Sequence, residues 1–181
     1  NSMVRLQTRY HDKDSTINSL KEVERRILTM AILHEKMYQS DNLTSVNIKD
    51  FITTVIIDLL NIYKNEKKIK YKVDAQEINF KSESILYIGL LISELITNSL
   101  KHGFHTLEDG YLCIDLHQNG HNDYIINVSN NGDKIDIDKF NTSESLGQRL
   151  IHNFVKQLNG DLSIQCNDDI TTFSVRFKED I

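Results

Sequence analysis

The sequence predicts an α+β protein: an N-terminal helical hairpin that forms a dimerisation bundle, followed by a two-layer α/β sandwich with a mixed, mostly antiparallel sheet. Apolar residues recur at spacings of three and four through the first 66 residues, which is the period of a helix. After residue 67 they alternate, which is the period of a strand. All seven glycines lie at or after Gly89, and the chain has no proline. We therefore divide the chain into residues 1–66 and residues 67–181.

The first region contains two apolar stripes. The second stripe follows a polar break and begins after Asn47, a residue type that caps helix N-termini. Each helix has only one apolar face, so we expect a second copy of the chain to complete a bundle. The first stripe is Leu20, Val23, Ile27, Met30, His34 and Met37, and the second is Ile48, Ile52, Val55, Leu59 and Ile62.

The second region begins with a lysine-rich alternating segment near Ile69, which is typical of a solvated edge strand. Ser82 is then expected to cap a long helix that runs to about His102. A strand hairpin should turn at 119–120, and a second should turn at 167–169. Between them, a polar irregular stretch over 130–145 leads into a helix at about 147–158. Helices on one face of a sheet are the expected arrangement.

Composition excludes several classes of function. A net charge of -5 argues against general nucleic-acid binding, which needs a basic surface. The two cysteines, Cys113 and Cys166, have no partner at metal-ligand spacing, so we expect a reducing, cytoplasmic location and no structural zinc. The longest apolar run, 85–92, is shorter than the roughly 20 residues that span a bilayer. We expect no membrane contact from this segment, whether or not the parent protein is anchored.

One face of the long helix carries reactive side chains. Glu94, Asn98, Lys101 and His102 fall within a sector of roughly 100° on a helical projection. An amide oxygen suits Mg²⁺, and basic groups suit phosphate oxygens. An ordinary solvated helix face has the same composition, so this pattern alone leaves both interpretations open.

Two further segments favour a phosphate ligand. Asn130-Asn131-Gly132 follows an apolar strand, where glycine permits close backbone approach. Ser145-Leu146-Gly147 opens a helix, whose free N–H groups and positive dipole end suit an anion. Each segment is weak by itself, but their order along the chain is more specific.

These segments carry a family resemblance. Residues 93–102 resemble the N-box of the ATP-binding domain shared by sensor histidine kinases, DNA gyrase B, Hsp90 and MutL. Residues 128–132 are similar to that superfamily's D-x-G box, residues 145–150 to its second glycine box, and residues 170–173 to its terminal G-T-x-F element. Residues 26–40 resemble the dimerisation region of the histidine kinases that carry an H-R-x-K-N-N phosphoacceptor box.

The resemblance implies a protein-histidine kinase that uses ATP and Mg²⁺. It makes Glu94 the catalytic, base-like group near the γ-phosphate and Asn98 the Mg²⁺ ligand, and it turns Asn130 towards the adenine. Residues 132–145 would form a lid over the nucleotide. The remaining ATP contacts that it implies are Lys101, His102, Gly132, the backbone N–H groups of Leu146, Gly147 and Gln148, and Thr171.

The chain departs from the family pattern at three positions. Asn130 replaces the usual aspartate, Lys134 stands where a second glycine is expected, and Ile170 replaces the glycine of the terminal element. A neutral hydrogen bond to adenine is weaker than a charge-assisted one, so we expect a loss of about 1 kcal/mol. That corresponds to roughly fivefold to tenfold weaker ATP binding.

The resemblance also implies partners and an acceptor. It implies a homodimer through the N-terminal helices and a response regulator receiver domain as partner. It places the phosphorylated histidine on the first helix, upstream of Asn1, so residues 1–181 alone are not expected to autophosphorylate. His34 lies on an apolar stripe and is expected to be a packed bundle residue. Two alternatives stay open: a serine kinase of the anti-sigma type, and a degenerate dimeric scaffold that binds ATP weakly or not at all.

Overall fold

The computed structural model describes residues 47–63, 68–78, 80–104, 109–142 and 145–179, together with the separate positions 20, 23, 27, 30, 31 and 35. The helices are α1 (Ile48–Tyr63), α2 (Ser82–Asn98), α3 (Ile137–Thr142) and α4 (Leu146–Gln157), and a π-helical turn (Ser99–Gly103) follows α2. The strands are β1 (Lys68–Ala75), β2 (Asp109–Gln118), β3 (Asp123–Asn130), β4 (Asp161–Asn167) and β5 (Ile170–Lys178).

The five strands form one mixed sheet in the order β1-β2-β3-β5-β4. β1 pairs parallel with β2, and the other three pairings are antiparallel. The lysine-rich strand β1 lies at an edge, as its sequence predicted. The mixed, mostly antiparallel sheet of an α+β protein is confirmed.

Alternation along the strands gives the sheet one apolar face. Every second residue of β2, β3 and β5 is buried, whereas the intervening residues are mostly half-exposed. The central helix α2 packs against α4 and α1. Its buried residues, Ile85, Ile88, Leu91, Ile92, Leu95 and Ile96, form part of one core with the apolar residues of the sheet.

Helix α1 forms where the second apolar stripe predicted it, and Asn47 caps it by accepting from the backbone N–H groups of Lys49 and Asp50. Its stripe is buried within the chain: Ile52, Val55 and Leu59 belong to the core shared with α2 and the sheet. This differs from the expected bundle, in which a second copy would cover this face. The remaining hairpin positions lie mostly outside the described residues.

Two other elements differ from the sequence expectation. The N-cap of α2 is Lys81, one residue before Ser82, and its N–H donates to the Glu179 carboxylate. The stretch between β3 and α4, predicted to be irregular, contains the short helix α3. Its apolar Phe140 is buried against Phe173, at a ring-centroid distance of 5.5 Å, which explains why a short polar segment is held in helical form.

Among the described residues, one helical stretch is long and apolar enough to cross a membrane, namely Glu83–Lys101. It is 72% buried inside the domain, where it forms the central helix of the core.

Candidate functional site

A cavity of about 530 Å³ opens at one end of the sheet, beside the C-terminal end of α2. β3 ends there and β5 begins there, because Asn130 is the register partner of Thr171. The first turn of α4 and the segment 133–140 complete its walls. The lining residues are Asn98, Ser99, Gly103, Asn130, Asp133, Lys134, Ile135, Asp136, Phe140, Ser145, Gln148, Thr171 and Phe173.

The end of α2 changes its winding where it reaches the cavity. The α-helix ends at Asn98 and continues as a π-helical turn through Gly103. Such turns are rare and are frequently found at functional sites. Here the turn brings both Ser99 and Gly103 to the cavity wall.

Asn130 is 4% exposed and is held by partners on both sides of its amide. Its Nδ2 donates to Ser99 Oγ at 3.0 Å, and its Oδ1 accepts from the backbone N–H of Gly132 at 3.0 Å. Ser99 Oγ donates in turn to the Leu95 carbonyl at 3.1 Å. The neighbouring Thr171 is buried as well. Asn130 and Thr171 therefore form a polar, neutral and buried pair at this end of the cavity.

Gly132 lies against the end of the π-helical turn. A Cβ placed on Gly132 would be 2.0 Å from the Gly103 carbonyl oxygen, which no side chain can tolerate. The N–H of Asp133 donates to the same carbonyl. The glycine is therefore required for close backbone approach, which clamps the end of β3 to the end of the central helix.

The opposite wall is the start of α4. Ser145 caps the helix: its Oγ accepts from the Gln148 N–H at 3.4 Å and donates to Gln148 Oε1 at 2.7 Å. Gln148 stands at the third helical position, as in a capping box, but its side chain accepts from the Ser145 hydroxyl. The free N–H groups of a first helical turn and its positive dipole end favour an anion beside this wall. The cap already engages the Gln148 N–H, so fewer than the three expected N–H groups remain for a ligand.

The segment over the cavity combines charged and apolar side chains. Asp133, Lys134 and Asp136 line it together with Ile135 and Phe140. No residue described in 131–142 has a positive φ. Lys134 therefore fits where a glycine was expected.

The structure brings together part of the predicted site. Asn98, Asn130, Gln148 and Thr171 line the cavity. Gly132 contacts its wall, and Leu146 and Gly147 lie in the first turn of α4 beside it. Lys101 is half-buried in the π-helical turn but is not among the lining residues, and the His102 side chain lies outside the described part of the chain.

Glu94 occupies a different environment from the one expected of a base near the γ-phosphate. It is 5% exposed, one turn before Asn98, and is not among the cavity-lining residues. Its catalytic role stays a prediction.

Sequence reasoning missed several lining residues, of which Ser99 and Phe140 matter most. On a helical projection Ser99 falls on the apolar side with Leu95 and Ile96, whereas in the structure it begins the π-helical turn, is buried and also lines the cavity. Phe140 carried a signal, since it is an isolated aromatic residue in a polar stretch.

Two family models match most of the chain. A family model described as "Histidine kinase-, DNA gyrase B-, and HSP90-like ATPase" matches residues 84–181, more than half of the chain. A second model, described as "Histidine kinase", matches residues 1–63. "Blue-light-activated histidine kinase 2" of Erythrobacter litoralis is 24% identical over 170 residues, which cover 90% of this chain and 48% of that protein. The chain thus spans about half the length of this relative.

Solved structures share the fold. The histidine kinase domain of the blue-light-activated histidine kinase EL346 from Erythrobacter litoralis superposes with a TM-score of 0.73 at 21% identity, covering 86% of this chain and 73% of that one. The Acinetobacter baumannii histidine kinase AdeS gives a TM-score of 0.58 at 14% identity, covering 90% and 79%. At these identities the likeness concerns the fold alone.

Proposed function

The chain belongs to the histidine kinase-, DNA gyrase B- and HSP90-like ATPase family, and on that premise we propose that its cavity binds ATP for a protein-histidine kinase reaction. The observation that carries the proposal is the polarity of the cavity. A neutral, buried pair, Asn130 and Thr171, lies at one wall, and the capped N-terminus of α4 lies at another. The first suits a purine base, and the second suits phosphates.

The residues present fit Mg²⁺. Asn98 is half-buried on the cavity wall, and its amide oxygen is a hard ligand. Within the described ranges, no three His, Cys, Asp or Glu side chains gather as a metal site. Mg²⁺ commonly keeps several waters and binds through few protein groups plus substrate phosphates, so Asn98 would hold it together with the nucleotide. When bound, the ion neutralises charge on the phosphates.

Calorimetry on Asn98→Ala tests this assignment. Loss of the ligand should weaken ATP binding in Mg²⁺ by roughly tenfold or more, the usual effect of removing support from a metal site. Asn153→Ala is the matched control, because Asn153 is an exposed asparagine on α4 away from the cavity lining. If Asn98→Ala, Asn153→Ala and the wild type bind ATP with equal affinity, Asn98 is not a ligand in the site.

For the reaction, we keep the sequence assignments as proposals. The γ-phosphoryl group of ATP is transferred to a nitrogen of a histidine upstream of Asn1 and then to the receiver domain of a response regulator. Phosphoryl transfer depends mainly on positioning and charge neutralisation, and the N-terminus of α4 and a bound Mg²⁺ would supply the positive charge. Glu94 is proposed as the base-like group. Reaching a γ-phosphate would require the buried Glu94 carboxylate to gain access to the cavity.

Exposed apolar positions support a dimer. Leu20, Val23, Ile27 and Met30 have exposed fractions of 63%, 41%, 61% and 40%, and they follow a helical spacing of three and four. An apolar helical stripe of this kind favours burial against a second copy. We therefore propose a homodimer through the N-terminal helices.

A phosphorylation assay in trans tests the kinase proposal. Residues 1–181 with ATP and Mg²⁺ should phosphorylate a fragment that carries the upstream helix, giving an acid-labile phosphohistidine. An acid-stable phosphoserine on a partner would support a serine kinase instead. ATP binding without any transfer to either partner would contradict the kinase proposal and favour the scaffold.

A further inference from the structure

We propose that Asn130 makes this site accept 6-oxopurine nucleotides, such as inosine triphosphate, almost as well as ATP. The inference rests on the proposed function, because it takes the base to lie at the Asn130 wall. It concerns which purine base the cavity selects. The choice of base depends on the donors and acceptors of the buried Asn130 amide that are not already used within the chain.

The orientation of the Asn130 amide is fixed by partners of known polarity. The backbone N–H of Gly132 can only donate, so the atom that faces it must be Oδ1. The Leu95 carbonyl can only accept, so the Ser99 hydroxyl donates its single proton to that carbonyl. It must therefore accept from Asn130 Nδ2. The two constraints agree, and neither leaves the amide free to flip.

The remaining capacity of the amide is one donor and one acceptor. A carboxamide has two N–H donors and two acceptor lone pairs, and one of each is used by Ser99 and Gly132. Thr171, its register partner, adds a hydroxyl that can donate or accept. A carboxylate at position 130 would offer acceptors only.

Adenine and hypoxanthine have opposite polarity at positions 1 and 6. Adenine offers an amino donor at position 6 and an acceptor at N1, whereas hypoxanthine offers a carbonyl acceptor and an N–H donor. Because the amide cannot flip, it meets the two edges with different atoms: Oδ1 accepts from the adenine amine, whereas Nδ2 donates to the hypoxanthine carbonyl. The Thr171 hydroxyl, which can donate or accept, is then left for position 1 of either base. An acceptor-only aspartate satisfies the adenine amine but faces the hypoxanthine carbonyl with lone pair against lone pair, which leaves a buried polar atom unpaired.

Nucleotide competition in Mg²⁺ tests this with residues 1–181, using displacement of a fluorescent ATP analogue by ATP, ITP and CTP. For the wild type, the affinity for ITP should be within about fivefold of that for ATP, since neither base leaves a buried polar group without a hydrogen bond. Asn130→Asp should bind ATP at least as well as the wild type and should weaken ITP relative to ATP by about fiftyfold or more. Asn153→Asp controls for added negative charge and should keep the wild-type ratio.

The outcomes separate the two proposals. Wild-type protein that binds ATP but discriminates against ITP by more than about fivefold overturns the inference while leaving ATP binding intact. If CTP binds as tightly as ATP, the site recognises only the phosphates, and the inference is overturned. If folded Asn130→Asp protein keeps the wild-type ratio of ITP to ATP affinity, Asn130 does not select the base, and the inference is overturned as well. Failure of all three nucleotides to bind overturns both the inference and the proposed function. The wild-type comparison needs no substitution, so it decides the question even if Asn130→Asp fails to fold.

Discussion

Strands β3 and β5 run side by side through the sheet, yet their two ends differ in chemistry. At one end Asn130 pairs with Thr171, and both are buried polar residues on the cavity wall. At the other end Tyr124 pairs with Phe177, and the two rings pack with Phe80 at centroid distances of 4.9 to 5.8 Å. The same pairing thus contributes to a candidate ligand site at one end and to an aromatic cluster at the other.

Polar interactions at the two ends also have different roles. Asp123 forms a two-pronged ion pair with Arg176 beside the aromatic cluster. At the cavity end, the Asn130 network leaves hydrogen-bonding capacity for a ligand. The polar groups at the Asp123 end are thus paired within the chain, whereas those at the Asn130 end keep donors and acceptors that a ligand could use.

The largest effect on stability should come from two phenylalanines of β5. Phe177→Ala and Phe173→Ala each remove a buried ring and should each lower the free energy of unfolding by about 3–5 kcal/mol. Only Phe173 lines the cavity, so only Phe173→Ala should also weaken nucleotide binding in the folded fraction. Chemical denaturation and calorimetry measure the two quantities. Equal losses of nucleotide affinity in both variants would contradict the division into two ends.

Gly132→Ala should come next. Its Cβ would be 2.0 Å from the Gly103 carbonyl oxygen, so the backbone must move, at a cost of about 1–3 kcal/mol. The displaced clamp should reduce nucleotide affinity by about tenfold or more, since geometry at the cavity wall is lost. Gly103→Ala is the matched variant: its Cβ would be 3.2 Å from Asn130 Oδ1, a contact that a small shift relieves. A Gly103→Ala defect larger than that of Gly132→Ala would be inconsistent with this clamp.

Ser99→Ala should have a smaller effect. It leaves one N–H of the buried Asn130 amide without its acceptor, which should cost about 1–3 kcal/mol in unfolding free energy. Ser93→Ala provides a control, because the Ser93 hydroxyl is also buried and donates to a helix carbonyl, that of Leu90, away from the cavity lining. Denaturation should show a larger loss for Ser99→Ala than for Ser93→Ala; the reverse order would argue against the Ser99–Asn130 bond.

Asp123→Asn should have the smallest effect at neutral pH and a distinct pH signature. The hydrogen bonds and charge of Arg176 hold the pKa of Asp123 below its usual range. A depressed folded-state pKa contributes stability above the unfolded pKa of about 3.9, and this is lost as pH falls through the folded pKa. Wild-type stability should therefore decline more steeply below about pH 4 than that of Asp123→Asn. Parallel stability curves for the two proteins between neutral and acid pH would exclude this contribution.

Most of the fold could be predicted from the sequence because the spacing of its apolar residues clearly distinguishes helices from strands. Alternation in β2, β3 and β5 and the apolar spacing of α2 specify a sheet with helices on one face. Tertiary contacts could not be predicted from the sequence. The apolar stripe of α1 would suit a helical bundle or a domain core equally well, and only the contacts of α1 with α2 and β1 distinguish the two. Short helix α3 depends on one aromatic contact between distant residues, Phe140 and Phe173.

Part of the candidate site could be predicted from residue type and position together with the family resemblance. Asn98 was proposed from the composition of a helix face and Asn130 from its place at a strand end, whereas Thr171 came from the resemblance alone. Ser99 was missed because a regular helix turns it away from the cavity, and the π-helical turn is a local change of winding with no period to reveal it. The Gly103–Gly132 contact joins two segments whose proximity is set by the whole sheet.

The most direct test of the central claim is a backbone NMR titration of residues 1–181 with ATP and Mg²⁺. The account predicts that amide shifts change at Asn130–Asp133, at Leu146–Gln148 and at Thr171, while Asp123, Tyr124, Arg176 and Phe177, on the same two strands, keep their positions. Shift changes concentrated at the Tyr124–Phe177 end, or none at Asn130 and Thr171 under saturating nucleotide, would contradict the assignment of this cavity as the ATP site.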